Sequence, residues 1–339
     1  KPNPRVGCIV VSENKIVGQG WHRQTGEAHA EAIALSEAGD KAKDSTVYST
    51  LEPCTHHGQT PPCVEALIAA AVGKVVYAME DPNPVVSGQS RKILESAEIE
   101  VISGVLSQES KDLNIGFHKR MKYGLPYIRT KIAASIDGKT ALLNGKSQWI
   151  SSQQSRDDVQ LWRARSCALV TSIDTVIADD PSLNVRINDF SDIDQPTRVI
   201  LDSQLRIKGD YKILKSPGDV IVYSLQQVHN DPIFEGMIEN TNERDGHVSL
   251  ESVFRDLAKK EINEVMFECG GTLNGALLKQ NFIDEIIIYL APCILGDQAN
   301  NMFSLPAISA MSERYNFNLI QVDRTGDDIR VILRKANPV

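Results

Sequence analysis

Three side chains with metal-binding chemistry lie at the starts of two predicted helices and in the segment between them. His29 and Glu31 open a helix rich in alanine and leucine, Cys63 opens the next helix, and Cys54 follows Pro53. One imidazole and two thiolates can hold a catalytic zinc whose fourth tetrahedral position is left for water. Such a metal lowers the pKa of its water to about 7. We predict that His29, Cys54 and Cys63 bind zinc and that Glu31 carries the proton.

The order of these motifs is typical of one class of zinc site, although alternatives stay open. Histidine-x-glutamate followed by proline-cysteine and a second cysteine occurs in zinc nucleobase deaminases, where two residues usually separate the cysteines. Here eight residues separate them. A closed structural zinc site, with His56 or His57 as fourth ligand, would give Glu31 no role, so the pattern favours catalysis. A nucleic-acid deaminase and a zinc-stabilised binding module remain as rivals.

Alternation of strand-like and helix-like segments predicts an α/β protein of two domains. A helix predicted over Ser107–Tyr123 ends near Gly124 and Pro126, and a new run of strands starts at Tyr127. We therefore expect domains at residues 1–123 and 124–339. The polar stretch Ser224–Val248 is expected to be an irregular surface loop.

The amino-acid composition excludes several classes of protein and indicates where in the cell this one works. The net charge of −8 disfavours a nucleic-acid binder, which needs a basic surface. A membrane span would need a run of about 18 apolar residues, and the sequence contains no such run. We expect no cleavable leader, because no charged-then-apolar segment with a small-residue cleavage site is present. Six cysteines in 339 residues do not indicate a disulfide framework. We expect a cytoplasmic enzyme that acts on a small molecule, with neither nucleic acid nor membrane as partner, and homo-oligomerisation is left open.

The second half contains weaker signals for anion binding. Lys131 lies in the middle of an apolar strand, where a cation indicates either a ligand site or a solvated edge strand. Gly270–Gly275 follows a strand and opens a helix, so its backbone can approach a phosphate, although a plain turn explains it equally well. Trp149 can be core or can stack on a planar ring. Asp179-Asp180-Pro181 is read as a turn that ends a helix, and Arg186 as a phosphate clamp.

Several stretches of the first half resemble one known family. The sequences of Pro2–Cys8, Gly20–His22, His29–Ala32 and Glu52–Cys54 together with Pro62-Cys63 resemble the deaminase domain of the RibD family of bifunctional riboflavin-biosynthesis enzymes. The resemblance implies a cytidine-deaminase-like α/β/α domain and a helix before Lys1. It also implies that Asn3 and His22 hold the pyrimidine and its ribose phosphate. Many relatives have a basic residue where this chain has Gln59.

The second half resembles the reductase domain of the same family from Tyr127 to Leu333. The resemblance implies a dihydrofolate-reductase-like α/β fold, with NADPH as cofactor and Lys131 near the reacting sugar. The residues implied to contact NADPH are Ala133, Trp149, Thr175, Asp179, Ser203, Gly270, Gly271, Thr272, Leu273, Asn274, Gly275 and Ala276. Those implied to hold the substrate are Ser147, Arg163, Leu183, Arg186 and Glu268.

The resemblance implies two consecutive reactions. The first domain would replace the 2-amino group of 2,5-diamino-6-ribosylamino-4(3H)-pyrimidinone 5′-phosphate by hydrolysis, releasing ammonia. The second would reduce the ribosyl group of the product, 5-amino-6-(5-phosphoribosylamino)uracil, to ribityl. A fusion of the two suits this order because the first product is the second substrate.

Overall fold

The protein comprises two compact units. The computed structural model describes residues 4–57, 61–83, 87–187, 194–226 and 236–336. The units span Lys1–Leu125 and Pro126–Val339. No helix in these described ranges is both long enough and apolar enough to cross a membrane.

In its described ranges, the first unit has a five-stranded sheet in the order β2-β1-β3-β4-β5 and five α-helices. Its strands are β1 (Gly7–Ser12), β2 (Lys15–Trp21), β3 (Thr46–Ser49), β4 (Lys74–Tyr77) and β5 (Glu100–Ser103). Its helices are α1 (Ala30–Ala38), α2 (Cys63–Ala69), α3 (Gln89–Ser96), α4 (Ser107–Leu113) and α5 (Ile115–Tyr123). Strand β1 is antiparallel to both of its neighbours, β2 and β3, whereas β3, β4 and β5 run parallel.

Helix α1 lies directly on strand β2, and this close packing sets the position of the metal-binding motif. A Cβ at Gly20 would stand 2.4 Å from the Ala30 carbonyl oxygen and 2.8 Å from the Ala34 amide nitrogen. Only glycine fits there unless the helix moves, because real Cβ contacts are longer than 3 Å. The small alanines on the buried face of α1 allow the same approach. Glycine on β2 therefore holds the start of α1, and with it His29, against the sheet.

The helix predicted over Ser107–Tyr123 is interrupted at Asn114, so this prediction was wrong in detail. The Asn114 side chain accepts a hydrogen bond from the Arg5 amide at 2.8 Å and donates one to the Arg5 carbonyl at 2.8 Å. An asparagine side chain that pairs with backbone groups competes with helical hydrogen bonding. The interruption follows from a partner more than a hundred residues away along the chain.

The second unit has a nine-stranded sheet in the order β11-β10-β9-β8-β14-β6-β15-β18-β17. Its strands are β6 (Tyr127–Ser135), β7 (Lys139–Ala141), β8 (Ala168–Ser172), β9 (Thr197–Leu201), β10 (Val220–Ser224), β11 (Ile238–Asn240), β12 (Glu243–Arg244), β13 (His247–Val248), β14 (Glu264–Phe267), β15 (Glu285–Ala291), β16 (Asn300–Asn301), β17 (Phe317–Thr325) and β18 (Asp328–Lys335). Its helices are α6 (Gln153–Arg165), α7 (Ile173–Asp179), α8 (Lys212–Lys215), α9 (Leu250–Lys259) and α10 (Gly271–Lys279). Strands β7 with β16 and β12 with β13 form separate pairs.

Strand β6 is central in this sheet, with β14 and β15 parallel to it on either side. This position rules out the edge-strand interpretation of Lys131. Two residues before Lys131 in the same strand, Arg129 is buried and bonds to Glu285 and, at 2.9 Å, to Glu264. These ion pairs tie β6 to both of its neighbours.

The segment Ser224–Val248, predicted to be an irregular loop, contains short strands in its described part. Its described part includes β11, which extends the large sheet beside β10, and the hairpin β12–β13. The two turn residues of the hairpin, Asp245 and Gly246, have φ values of 53° and 76°, as two-residue hairpin turns require. Polar composition concealed these strands because they are short and half exposed.

Candidate functional site

The three predicted metal ligands lie together in the first unit. His29 Nδ1 is 3.2 Å from Cys63 Sγ and 3.4 Å from Cys54 Sγ, and all three ligand atoms lie within 4.8 Å of one another. Tetrahedral zinc with ordinary Zn–N and Zn–S bonds would separate nitrogen from sulfur by about 3.5 Å. This donor set therefore fits zinc. Within the described ranges the group has only these three members, and His57 instead pairs with Glu65 at 3.3 Å.

The electrostatics of the cluster favour an ionised sulfur beside a protonated imidazole. Hydrogen bonding from Cys63, and then from His29, lowers the pKa of Cys54 to about 4. The same bond with Cys54 raises the pKa of Cys63. Hydrogen bonding to Cys54 raises the pKa of His29. Such a set of groups releases protons when it binds a cation, because zinc takes thiolate and neutral imidazole as ligands.

Glu31 is buried beside the cluster without belonging to it. Its side chain is 3% exposed; Oε1 accepts a hydrogen bond from Ser49 at 3.0 Å, and Oε2 lies 3.4 Å from Cys63 Sγ. Burial raises the pKa of this carboxyl, so the proton is held more tightly than on an exposed glutamate. A carboxyl in this place can receive a proton and return it.

His22 is placed next to the metal ligands. It is buried, its Nδ1 is 3.3 Å from the Ala28 carbonyl oxygen, and its ring meets that of His29 edge-to-face at 5.4 Å. Asn3 and Gln59 lie outside the described residues, so their predicted roles are not addressed by the structure.

The second unit contains a large cavity, of about 1850 Å³, that extends over the carboxyl ends of β8, β9 and β14. The residues implied by the resemblance that line it are Lys131, Ala133, Ser147, Trp149, Arg163, Thr175, Asp179, Leu183, Arg186, Ser203, Glu268, Gly270, Gly271, Thr272, Leu273 and Ala276. In open parallel sheets, this is the edge at which ligands bind.

A charged cluster lies on the wall of the cavity. Glu268 bonds to Arg163 through two oxygens, at 2.6 Å and 3.1 Å, and to Lys131 Nζ at 3.4 Å. Burial opposes the ionisation of Glu268, but Arg163 and then Lys131 outweigh it and lower its pKa to about 2. Two cations share one carboxylate, and Arg186 also lines this cavity. The wall therefore favours an anionic ligand.

The start of α10 offers backbone donors to the same cavity. Gly270 caps the helix without a side-chain hydrogen bond, and a Cβ at this glycine would meet nothing within 4 Å. The amides of the first turn thus lack an internal partner and suit a phosphate. This open donor set fits the diphosphate of a dinucleotide such as NADPH.

Asn274 and Gly275 are placed differently from the rest of this loop, because neither lines the cavity. The Asn274 side chain is buried and accepts a hydrogen bond from Thr130 at 2.7 Å. A Cβ at Gly275 would stand 2.1 Å from the Ser304 carbonyl oxygen. Asn274 therefore holds the loop against strand β6, and Gly275 lets the loop pack closely against the segment that contains Ser304.

The structure decides between the two interpretations of Trp149 and shows how helix α7 ends at Asp179. Trp149 is 71% exposed, with Arg156 4.5 Å above its ring, so it does not belong to the core. Helix α7 ends at Asp179, and Asp180 follows with φ of 41°, which confirms the helix-ending turn.

Comparison with known proteins covers both units. The family model for the RibD C-terminal domain matches residues 126–331, and that for the cytidine and deoxycytidylate deaminase zinc-binding region matches residues 1–79. Escherichia coli K12 riboflavin biosynthesis protein RibD is 43% identical over 97% of this chain and 92% of its own length. The solved structure of Acinetobacter baumannii RibD, form 1, has a TM-score of 0.92 at 42% identity. The match covers 99% of this chain and 94% of that one. The chain belongs to the RibD family.

Family membership confirms the predicted fold class and the presence of a zinc-binding deaminase region followed by a reductase region. A Thermotoga maritima structure, described as a diaminohydroxyphosphoribosylaminopyrimidine deaminase/5-amino-6-(5-phosphoribosylamino)uracil reductase, has a TM-score of 0.88 at 30% identity. It covers 99% of this chain and 93% of that one. The expectation that the chain is an enzyme is likewise confirmed by these relatives.

Sequence reasoning missed one residue that shapes this RibD-family deaminase site. Glu52 is buried and accepts hydrogen bonds from the amides of Asp81, Gly88 and Ser90 at 3.0–3.1 Å, and from the Ser90 hydroxyl at 2.8 Å. Glu52 thereby anchors the chain segment that follows β4. In this segment, burial is the main cause that raises the pKa of Asp81 to about 6, and the nearby charge of Glu52 adds to it. The signal was an acidic residue just before Pro53-Cys54.

Proposed function

We propose that the first unit deaminates 2,5-diamino-6-ribosylamino-4(3H)-pyrimidinone 5′-phosphate. We further propose that the second unit reduces the ribosyl group of 5-amino-6-(5-phosphoribosylamino)uracil to ribityl with NADPH. The observation that carries the proposal is the buried carboxyl of Glu31, 3.4 Å from one sulfur of a His-Cys-Cys cluster. Family membership and the cation-lined cavity support the reductase half.

In the deaminase unit, His29, Cys54 and Cys63 would hold zinc. When bound, zinc supplies a Lewis acid that makes water a nucleophile at neutral pH. Glu31 accepts one proton from the attacking water and delivers it to the ring nitrogen. It then accepts the second proton, from the hydroxyl now bonded to the ring carbon, and delivers it to the departing amine, which leaves as ammonia while the carbon–oxygen double bond forms. The hydrogen bond from Ser49 fixes Oε1, and Oε2 faces the metal-binding cluster, 3.4 Å from Cys63 Sγ, where it can take part in this transfer.

The substrate of the deaminase unit would be held by His22 and Asn3. His22 is buried beside the metal ligands, which suits contact with the substrate near the reacting carbon. Gln59 would meet the phosphate with a neutral side chain, and the charge that many relatives provide there is absent.

In the reductase unit, the dinucleotide supplies the hydride. Ring opening of the ribosyl group exposes an imine-like carbon that accepts this hydride. Lys131 either polarises the sugar oxygens or donates the proton that the imine-like nitrogen takes up when its carbon accepts the hydride. Glu268 holds the ammonium of Lys131 in place at 3.4 Å. Together with Glu268, the residues that would hold the substrate are Ser147, Arg163, Leu183 and Arg186.

The cofactor would lie along the start of α10, and its contacts come from residues that line the cavity. These are Ala133, Trp149, Thr175, Asp179, Ser203, Gly270, Gly271, Thr272, Leu273 and Ala276. Asn274 and Gly275 act by holding the loop in position.

We assign the deaminase to residues 1–123 and the reductase to residues 124–339, close to the division between the compact units. The enzyme acts on small molecules. We further propose that it works in the cytoplasm without nucleic acid or membrane as partner, and its net charge of −8 supports this proposal. Analytical ultracentrifugation would measure whether the chain forms a homo-oligomer.

The test supplies the diaminopyrimidine ribotide and NADPH together while ammonia and the nicotinamide absorbance band are followed. We expect ammonia release to precede loss of the band. As a matched control, chelation of zinc should stop both signals, whereas reduction of separately supplied deaminated ribotide should continue. Release of no ammonia by the zinc-loaded protein would refute the deaminase half, and no oxidation of NADPH would refute the reductase half.

A further inference from the structure

One end of the reductase cavity is formed by Ser203 together with residues to which the sequence resemblance gives no role. The Ser203 hydroxyl, just after β9, accepts a hydrogen bond from the Val248 amide at 3.0 Å. This bond fixes the β12–β13 hairpin beside the end of β9. Arg244 and His247 lie opposite each other across the hairpin, and both line the cavity. Basic side chains therefore stand next to Ser203.

The guanidinium of Arg244 is available to a ligand. Among the residues that the structure describes, no hydrogen bond or ion pair holds it. Arg206, which also lines this end, donates one N–H to Asp174 at 2.6 Å, and no further partner among the described residues takes its other donors. Asp174 and Asp245 line the same end, and the ion pair with Arg206 neutralises the first of them.

Apolar side chains form a slot beside these cations. Ile173, Leu201, Val248 and Leu250 are all less than 9% exposed, and all four line the cavity. A planar base fits between such side chains because its faces are apolar and its edges can remain in contact with polar groups. An adenine with a charged group at its ribose matches an apolar slot with a basic rim.

The order of the strands gives the distance from this end to the reacting end. Strands β9, β8, β14 and β6 are consecutive neighbours in the sheet. At about 4.8 Å per strand, the end of β9 lies about 10 Å from β14, which leads into the Gly270 loop. It lies about 14 Å from β6, which carries Lys131. A dinucleotide with its diphosphate at Gly270 and its reacting ring near Lys131 therefore places its adenosine at Ser203.

We propose that Arg244, assisted by Arg206, recognises the phosphate monoester on the 2′-oxygen of the adenosine ribose and so makes the reductase prefer NADPH to NADH. Arginine suits this role because it forms charge-assisted bonds to two phosphate oxygens at once. The inference rests on the proposed reductase function and names the side chains that select its cofactor.

The experiment measures dissociation constants of NADPH, NADH, 2′,5′-ADP and 5′-AMP for the full chain by titration calorimetry. The variants are Arg244→Gln and Arg206→Gln. The matched control is Arg255→Gln. This exposed arginine of α9 pairs with Glu251 and with no other residue in the described ranges, and it does not line the cavity. We expect Arg244→Gln to weaken NADPH and 2′,5′-ADP about tenfold or more, as loss of a charge-assisted bond predicts. NADH and 5′-AMP should bind as before, which also shows that the variant is folded.

Two outcomes would overturn the inference. One is an Arg244→Gln variant with the wild-type preference for NADPH over NADH. The other is equal weakening of both dinucleotides. Failure of the proposed function gives a different result, because wild-type protein would then oxidise neither dinucleotide when deaminated ribotide is supplied.

Discussion

Replacing Glu268 with glutamine removes the negative charge that two cations of the reductase cavity share. Arg163 binds both carboxylate oxygens, and Lys131 lies 3.4 Å from one of them. The two basic side chains are only 11% and 18% exposed, so water cannot fully replace the carboxylate. We expect Glu268→Gln to destabilise the second unit.

The size of this loss follows from the ionisation of Glu268. Burial opposes the charge, yet Arg163 and Lys131 lower the pKa from 4.5 to about 2. At about 1.4 kcal/mol per pKa unit, the ionised carboxylate stabilises the folded state by about 3 kcal/mol. Because the folded pKa is depressed, this contribution is complete above pH 4.5 and is lost as the pH falls toward 2. Removal of one partner from a buried ion pair costs a similar amount, about 3–5 kcal/mol.

The assay is urea unfolding at pH 7, followed by tryptophan fluorescence in a Trp21→Phe background, because Trp21 belongs to the first unit. The control is Glu251→Gln, an exposed member of an i,i+4 pair on α9, for which we expect a loss below about 0.5 kcal/mol. The loss for Glu268→Gln should shrink as the pH is lowered toward 3. Equal losses for both variants at pH 7 would refute the electrostatic reasoning.

Two further substitutions separate the roles of the two units. Lys131→Ala should leave ammonia release intact and slow NADPH oxidation by about 100-fold or more, since it removes the side chain proposed to polarise the sugar oxygens or donate the proton. An unchanged oxidation rate in a stopped-flow assay would exclude that role. Gly20→Ala should push α1 away from β2, cost about 1–3 kcal/mol and reduce the zinc content, whereas Gly7→Ala, whose Cβ would meet nothing closer than 4.0 Å, should retain zinc. Equal zinc content in both variants would contradict the packing account.

Residue type and spacing were sufficient to predict the metal cluster. His29, Cys54, Cys63 and Glu31 carry their chemistry in their side chains, and the structure brings them together. The alternation of strands and helices likewise predicted an α/β protein. These features could be predicted because each depends on a local sequence pattern.

Features that depend on residues far apart in the sequence could not be predicted from it. The helix interruption at Asn114 needs Arg5, and the burial of Arg129 needs two glutamates more than a hundred residues ahead. Strand β17 was missed because most of its side chains are exposed on both faces, so its sequence shows no alternation of buried and exposed positions. Only the folded chain places these partners together.

The most direct test of the account is the zinc content and ammonia release of Glu31→Gln. Glutamine keeps the shape of the buried side chain but cannot carry the proton. We predict one zinc ion per chain, ammonia release slowed by at least about 100-fold, and normal reduction of supplied deaminated ribotide. Ammonia release at the wild-type rate from the zinc-loaded variant would contradict the central role of Glu31.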